Sequence, residues 1–390
     1  MIVKKLNKTL LLLFITLSVI GCVEPFELET DVFESALVVE ATITDELKHQ
    51  QVKLSRTYRL EADAPPTESN ARVSVVDDAQ NVFLFEETSP GIYSSIAEFE
   101  ALPQRLYTLQ IETANGRSYS SQPAALVTGG EITDLHATRT ENAKGEDGIA
   151  LLINSQNTSG STNYYRYEYE ETFEIFSPYK KIMDFSLAND TITLVEKEKE
   201  EYRCFKTLES QEIVLASTAT LNENRLDNYL VRFIEKGNPI VSNRYSILVH
   251  QYAVSREVYN FYEALKELSQ SESLFSQTQP GFLNGNLFSE ENPEEEKVLG
   301  FFSVSGVTSR RIFFSFSDFF DDDEEQPSYI SDYCPVSDPY PPGPELEALI
   351  RSGNIKFFGR QPGPIYTVVR AECVDCTLTG TNKVPEFWEE

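Results

Sequence analysis

The stretch Tyr107-Thr108-Leu109-Gln110-Ile111 alternates apolar and polar residues without a break. Successive side chains of an extended chain point to opposite faces, so this period of two marks a strand with one face buried and the other wet. Asn115-Gly116 follows shortly after, a pair favoured in tight turns because both residues tolerate positive φ. Ser118–Ser121 can then return as the partner, and the whole reads as a β-hairpin.

Working outward, the same short apolar blocks recur at Ala36–Val39, Val52–Leu54, Val73–Val76, Val82–Phe85 and Gly91–Tyr93. Turn signals separate them at Pro65-Pro66, Asp77-Asp78 and Ser89-Pro90-Gly91, with no helical stretch between. An antiparallel sandwich of about seven strands, immunoglobulin-like or fibronectin-like, is expected over residues 35–127. Thr128-Gly129-Gly130 reads as a linker, and a larger β-rich domain is expected over 131–390. Its strand text includes Ile149–Ile153, Tyr164–Tyr169, Val298–Val304 and Arg311–Phe316. One amphipathic helix stands out: Ser255 suits an N-cap, and Val258, Phe261, Tyr262, Leu265 and Leu268 form one apolar stripe. The fold class is therefore mostly β.

The first residues read as an export leader. Lys4, Lys5 and Lys8 precede an apolar run from Leu10 to Ile20, too short for a bilayer span of roughly 20 residues. The run ends in Val19-Ile20-Gly21-Cys22. This resembles a bacterial lipobox, in which a small residue precedes the cysteine that takes the diacylglycerol. Residues 1–21 are thus expected to be a signal peptide, with Cys22 as the lipidation site and 22–34 as an acidic tether. Glu24, Glu27, Glu29 and Asp31 follow the cysteine with no basic residue among them.

The chain carries a formal charge of −29, and its three leader lysines leave the remainder near −32. Phosphate backbones would be repelled, so nucleic acid is excluded as a partner. Five cysteines are present; with Cys22 acylated, Cys204, Cys334, Cys373 and Cys376 make an even set in an oxidising compartment. Two disulfides are expected, with all three pairings open.

Two stretches are candidate sites. Tyr165, Tyr167 and Tyr169 share one face of a strand and could stack on a sugar or a peptide; the plainer reading is the wall of a sheet. Asp321, Asp322 and Asp323 sit in an acidic run that could hold Ca²⁺ loosely, although it lacks the glycine and the ligand spacing of a calcium loop; the plainer reading is a solvated loop. No zinc-protease, serine-hydrolase, phosphate-loop or dinucleotide motif occurs. No catalytic residue is assigned, no resident metal is expected, and the chain is not expected to be an enzyme.

The stretches Cys22-Val23-Glu24-Pro25, Ala216–Thr218, Asn243–Val249, Tyr259–Tyr262, Gly285-Asn286, Val298–Phe302 and Glu372–Trp388 together resemble one family, the Bacteroidota lipoproteins called domain of unknown function 4249. The resemblance implies an outer-membrane lipoprotein of a kind often encoded beside TonB-dependent receptors, so a TonB-dependent receptor or another outer-membrane β-barrel is the expected partner; the acids after Cys22 resemble an export signal, so the cell surface is expected rather than the periplasmic face. It carries over no activity and no site residue. The expected function is that of a non-catalytic, lipid-anchored accessory or binding protein; the alternative is a surface lipoprotein that captures glycan or peptide.

Overall fold

In the computed structural model, residues 35–58, 65–158, 162–188, 191–270, 283, 285–330 and 333–390 are described. The leader, Cys22 and the 22–34 tether lie outside them.

The alternating blocks of the first stretch become β1 (Leu37–Thr44), β2 (Gln51–Arg56), β3 (Arg72–Asp77), β4 (Val82–Ser89), β5 (Ile92–Ser95), β6 (Leu106–Glu112), β7 (Ser118–Ser121) and β8 (Ala124–Ala125). Tyr107, Leu109 and Ile111 of β6 are buried while Gln110 is exposed, as the period of two requires. The β6–β7 turn places Gly116 at φ +84°. These strands do not close on themselves. The chain supplies the missing wall from far downstream.

The second stretch forms β9 (Glu131–Glu141), β10 (Asp147–Gln156), β11 (Tyr164–Phe176), β12 (Met183–Ala188), β13 (Thr191–Glu196), β14 (Arg203–Glu209), β15 (Val214–Ser217), β16 (Arg225–Glu235) and β17 (Arg244–Ala253). Helix α1 (Arg256–Gln270) follows, then β18 (Leu287–Ser289), β19 (Val298–Ser305), β20 (Val307–Ser315), α2 (Pro344–Ser352), β21 (Ile355–Gln361) and β22 (Ile365–Arg370). The helix begins where expected: Ser255 Oγ accepts the Val258 N–H at 3.3 Å, and Val258 and Phe261 are buried.

The strand β19 runs parallel to β1 in unbroken register from Leu37↔Val298 to Thr44↔Ser305. On its other side Val127 pairs with Ser305, two residues after β8 leaves β6. The ring β6-β3-β4-β5-β2-β1-β19 thus closes through Val127, and the sheet is a curled, barrel-like wall around Val39, Val52, Val75, Tyr93, Leu109 and Phe302. The first unit is therefore not built from residues 35–127 alone, because β18 and β19 of the later stretch complete it. Alternation in a sequence marks which face of a strand is buried; it does not name the neighbour.

A second body is a sandwich. The sheet β16-β10-β9 packs on the sheet β14-β11-β17-β20, with β15 also paired to β11. Ile149, Leu151 and Ile153 of one face meet Tyr167, Ile247 and Val249 of the other. A third lobe joins the hairpins β12–β13 and β21–β22 with α2, around Leu346, Phe357, Tyr366 and Phe185. Two disulfides, Cys204–Cys376 and Cys334–Cys373, hold the C-terminal segment in place. The two cysteines of Cys373-x-x-Cys376 thus part to different partners.

Candidate functional site

Tyr165, Tyr167 and Tyr169 alternate with charged residues on β11, which turns all three rings to the same face. That face is the interior. The rings are 2%, 1% and 3% exposed, and two of the hydroxyls are spent internally: Tyr165 donates to Asn224 Oδ1 at 2.9 Å and Tyr167 to Gln251 Oε1 at 2.9 Å. Burial pushes the Tyr169 phenol up to about 12. The stacking-platform reading is corrected: these rings are core, and no ligand can reach their faces.

The acidic run follows β20 and turns across the end of the sandwich. Asp321, Asp322 and Asp323 are exposed, and among the described residues no group of three or more His, Cys, Asp or Glu side chains is placed to hold a metal ion. What organises the run is Glu324. Its carboxylate takes both arms of Arg139 at 2.8 and 3.0 Å and pairs with Lys236. Arg139 is itself fixed by Asp147 at 2.7 Å and lies over the Phe320 ring at 4.6 Å. The hydrogen bonds from Arg139, then Lys236, hold the Glu324 carboxyl at about 2.

Beside this turn lies a cleft of about 480 Å³. Its rim is built by three chain segments. Asn238 caps a short helix over Pro239–Val241, accepting the Ile240 N–H at 3.2 Å, and this sets Ser242-Asn243-Arg244 at the opening. The end of β20 contributes Ser315, and Ser317 follows; Phe316 and Phe320, whose ring centroids are 4.5 Å apart, also line the cleft. The third wall is Glu174 at the end of β11 with Glu390, both on the guanidinium of Arg203. Arg244 Nε donates to the Glu389 carbonyl at 2.6 Å. Gln326 donates to the Ser242 carbonyl, tying the acidic turn to the opposite rim.

Asp321 and Asp322 also line the cleft, and they alone of its lining residues are candidate sites by sequence. Serine, asparagine and glutamate at strand ends look like any wet loop. The one available signal is Asn243-Arg244, which falls inside a stretch that resembles the family.

The cleft occupies the end of the sandwich away from the first unit. Leu37 and Val298 start side by side; β19 then passes through Gly306 alone into β20, which ends at the cleft. At a rise of roughly 3.3 Å per residue, that path spans at most about 60 Å.

No curated protein matches the chain. A crystal structure of a DUF4785 family protein from Legionella pneumophila subsp. pneumophila str. Philadelphia 1 is similar over 56% of this chain at 8% identity, with a TM-score of 0.17 that carries no argument. The chain spans about half the length of that protein, 51%. The family model described as Domain of unknown function (DUF4249) matches residues 23–311.

Proposed function

The chain belongs to the DUF4249 family, and from that premise we propose that it is a non-catalytic, lipid-anchored accessory protein of the outer membrane that holds a binding cleft away from the bilayer. The anchor is Cys22, and the partner is a TonB-dependent receptor or another outer-membrane β-barrel. The cell surface is favoured over the periplasmic face by the acids that follow Cys22.

The observation behind this reading is the strand path. The first described residues enter β1 at Leu37, beside the start of β19, and the continuation of β19 into β20 ends at the cleft. A tether at the β1 end therefore puts the cleft at the far extremity. The two disulfides fit an oxidising compartment. The high negative charge supports the same reading, since anionic head groups would repel the body and leave the lipid to hold it.

Isolation of the native protein from membranes in mild detergent tests the proposal. Mass spectrometry is expected to find the leader removed and diacylglycerol on Cys22, and a β-barrel protein is expected to co-purify. An unmodified residue 22, or monomer alone in every detergent, would overturn it.

A further inference from the structure

Strands β3, β4, β5 and β6 turn one face to the core of the first unit, and the same alternation turns every second residue outward. Outward residues of such a sheet are ordinarily polar. On this face several are not. Val82 and Leu84 of β4 and Ile96, just past β5, are each more than half exposed, and Leu106 of β6 is nearly half exposed. The ladder makes them neighbours. The Ile96 N–H donates to the Leu84 carbonyl at 2.8 Å, Val82 pairs with Val76, and Val76 pairs with Thr108. Asp78, two residues on from Val76, donates its N–H to the Leu106 carbonyl at 2.9 Å. An apolar row thus crosses four strands, and at about 4.8 Å between strands it spans roughly 15 Å. Single exposed apolar side chains need no explanation, whereas a contiguous patch marks a surface that is covered in use.

The charges around the row narrow what covers it. Glu86 follows Leu84 on the same face of β4, and Glu98 and Glu100 follow Ile96. All three are exposed, and none forms an ion pair among the described residues. The cations beside the row are spent: Arg105 on Asp78 at 3.2 Å and Lys48, which bridges to Phe99, on Glu46 at 2.6 Å. A second copy of the chain would bring the same acids face to face across a twofold axis. The acidic stretch at residues 22–34 carries the same sign, and so does an anionic bilayer. Register also sets the row off the anchored end. Ser94 is level with Gln51 and Val52 with Ala41, so Ile96 lies level with the end of β1, about 23 Å along the strand from Leu37.

We infer that the outer face of β4 and its neighbours docks a partner protein whose matching surface is apolar at its centre and basic, with Lys or Arg, at its edge. The inference rests on the reading of the chain as an accessory protein and names the surface through which the partner is held.

The test places a photo-crosslinking residue, benzoylphenylalanine, at Leu84 of the full lipidated chain in native membranes, with the exposed Glu141 as the control position. Light is expected to join position 84, and not position 141, to a second membrane protein. Mass spectrometry of the joined peptides is expected to find an apolar segment bordered by Lys or Arg. Leu84→Glu and Ile96→Glu are each expected to lower recovery of that partner in mild detergent at least about tenfold, because each would bury an unpaired charge at the contact. The melting temperature should hardly move, since both side chains are already exposed. Glu98→Lys combined with Glu100→Lys leaves the apolar row whole and is expected to lower recovery as well, with a smaller effect at high salt. Crosslinks only to a second copy, to the chain's own tether, to lipid or to a segment bordered by acids would overturn the inference. The two readings fail apart: a β-barrel protein that co-purifies undiminished with the Leu84→Glu protein removes the docking face alone, whereas no partner with the unaltered protein removes the accessory role itself.

Discussion

Asn286 grips Phe302 twice. Its side-chain nitrogen donates to the Phe302 carbonyl at 2.8 Å, and its side-chain oxygen accepts the Phe302 N–H at 2.8 Å. A side chain does here what a neighbouring strand's backbone would do, and it ties the start of β18 to the middle of β19. Phe302 is 0% exposed, so water cannot replace either bond. Asn286→Ala is expected to cost about 2–6 kcal/mol, the sum of two unpaired buried polar groups at roughly 1–3 kcal/mol each. Asn286→Asp, which keeps the acceptor but sets a buried carboxylate against the Phe302 carbonyl, should cost at least as much. Denaturant unfolding measures both, and a loss in the alanine protein no larger than that of a typical surface change, about 0.5 kcal/mol, would show the seam to be held by other contacts.

Two glycines bring the same seam together. Gly300 sits at φ +120°, and a Cβ there would lie 1.9 Å from the Val39 carbonyl oxygen; at Gly285 it would lie 1.7 Å from the Gly300 carbonyl oxygen. Backbone would have to move in both cases. Gly116 has φ +84° but nothing within 4 Å of its missing Cβ. Gly300→Ala is therefore expected to cost more than about 3 kcal/mol, and Gly116→Ala only about 1–2 kcal/mol of left-handed backbone strain. Melting curves of the two proteins side by side check the ranking, which fails if they melt together.

Arg166 lies on the face of β11 opposite the tyrosine stripe, where α1 and β1 cover it. Its guanidinium is 4.8 Å from the ring centroids of both Tyr252 and Tyr262, pairs with Glu168, and comes within 3.4 Å of Thr42 Oγ1, while Nε has no hydrogen-bond partner among the described residues. The partners are unequal, because the Glu168 side chain is 43% exposed and that of Arg166 only 9%. Removing the acid strands a cation inside, whereas removing the cation frees an acid that can reach water. Glu168→Ala is expected to cost about 2–4 kcal/mol, somewhat under the 3–5 kcal/mol of a fully buried broken pair, and Arg166→Met about 1 kcal/mol or less. The opposite order in urea denaturation would refute the asymmetry.

Glu324 makes a prediction about acid. Its folded carboxyl titrates at about 2, held down by Arg139 and then Lys236, against about 4.3 in an unfolded chain. A group lowered on folding contributes stability that is present above the unfolded value and is lost as pH falls through the folded one. The contribution of the clamp should thus be whole at neutral pH and fade between about pH 4.5 and pH 2. Glu324→Gln should flatten that part of the melting-temperature profile, and added salt should shrink the difference, since the pair is open to solvent. A parallel profile for the two proteins would show that the clamp does not contribute.

Much of the fold can be read from local pattern. The β6–β7 hairpin, the α1 stripe from Val258 to Leu268 and the even set of cysteines each follow from neighbours in the chain. What cannot be read is who meets whom at long range. Thr42 and Ser303 touch through their hydroxyls at 3.0 Å across 261 residues, and no period in the sequence points from one to the other. The same holds for the cysteines, whose three possible pairings stay open in the sequence while the fold joins Cys204 to Cys376 and Cys334 to Cys373. The tyrosine stripe shows the opposite difficulty: its alternation was legible, but a stripe of one face looks alike whether that face meets solvent or a second sheet. The cleft was the least legible, because it is assembled from three loop ends of ordinary composition.

The parallel pairing of β1 with β19 has a mechanical consequence. A tether at the head of β1 and a load at the foot of β20 would pull the two strands along their length in opposite senses. Their eight rungs, from Leu37↔Val298 to Thr44↔Ser305, would then be sheared together and not peeled one at a time. A chain so arranged resists tension at the joint where the anchored unit hands force to the rest.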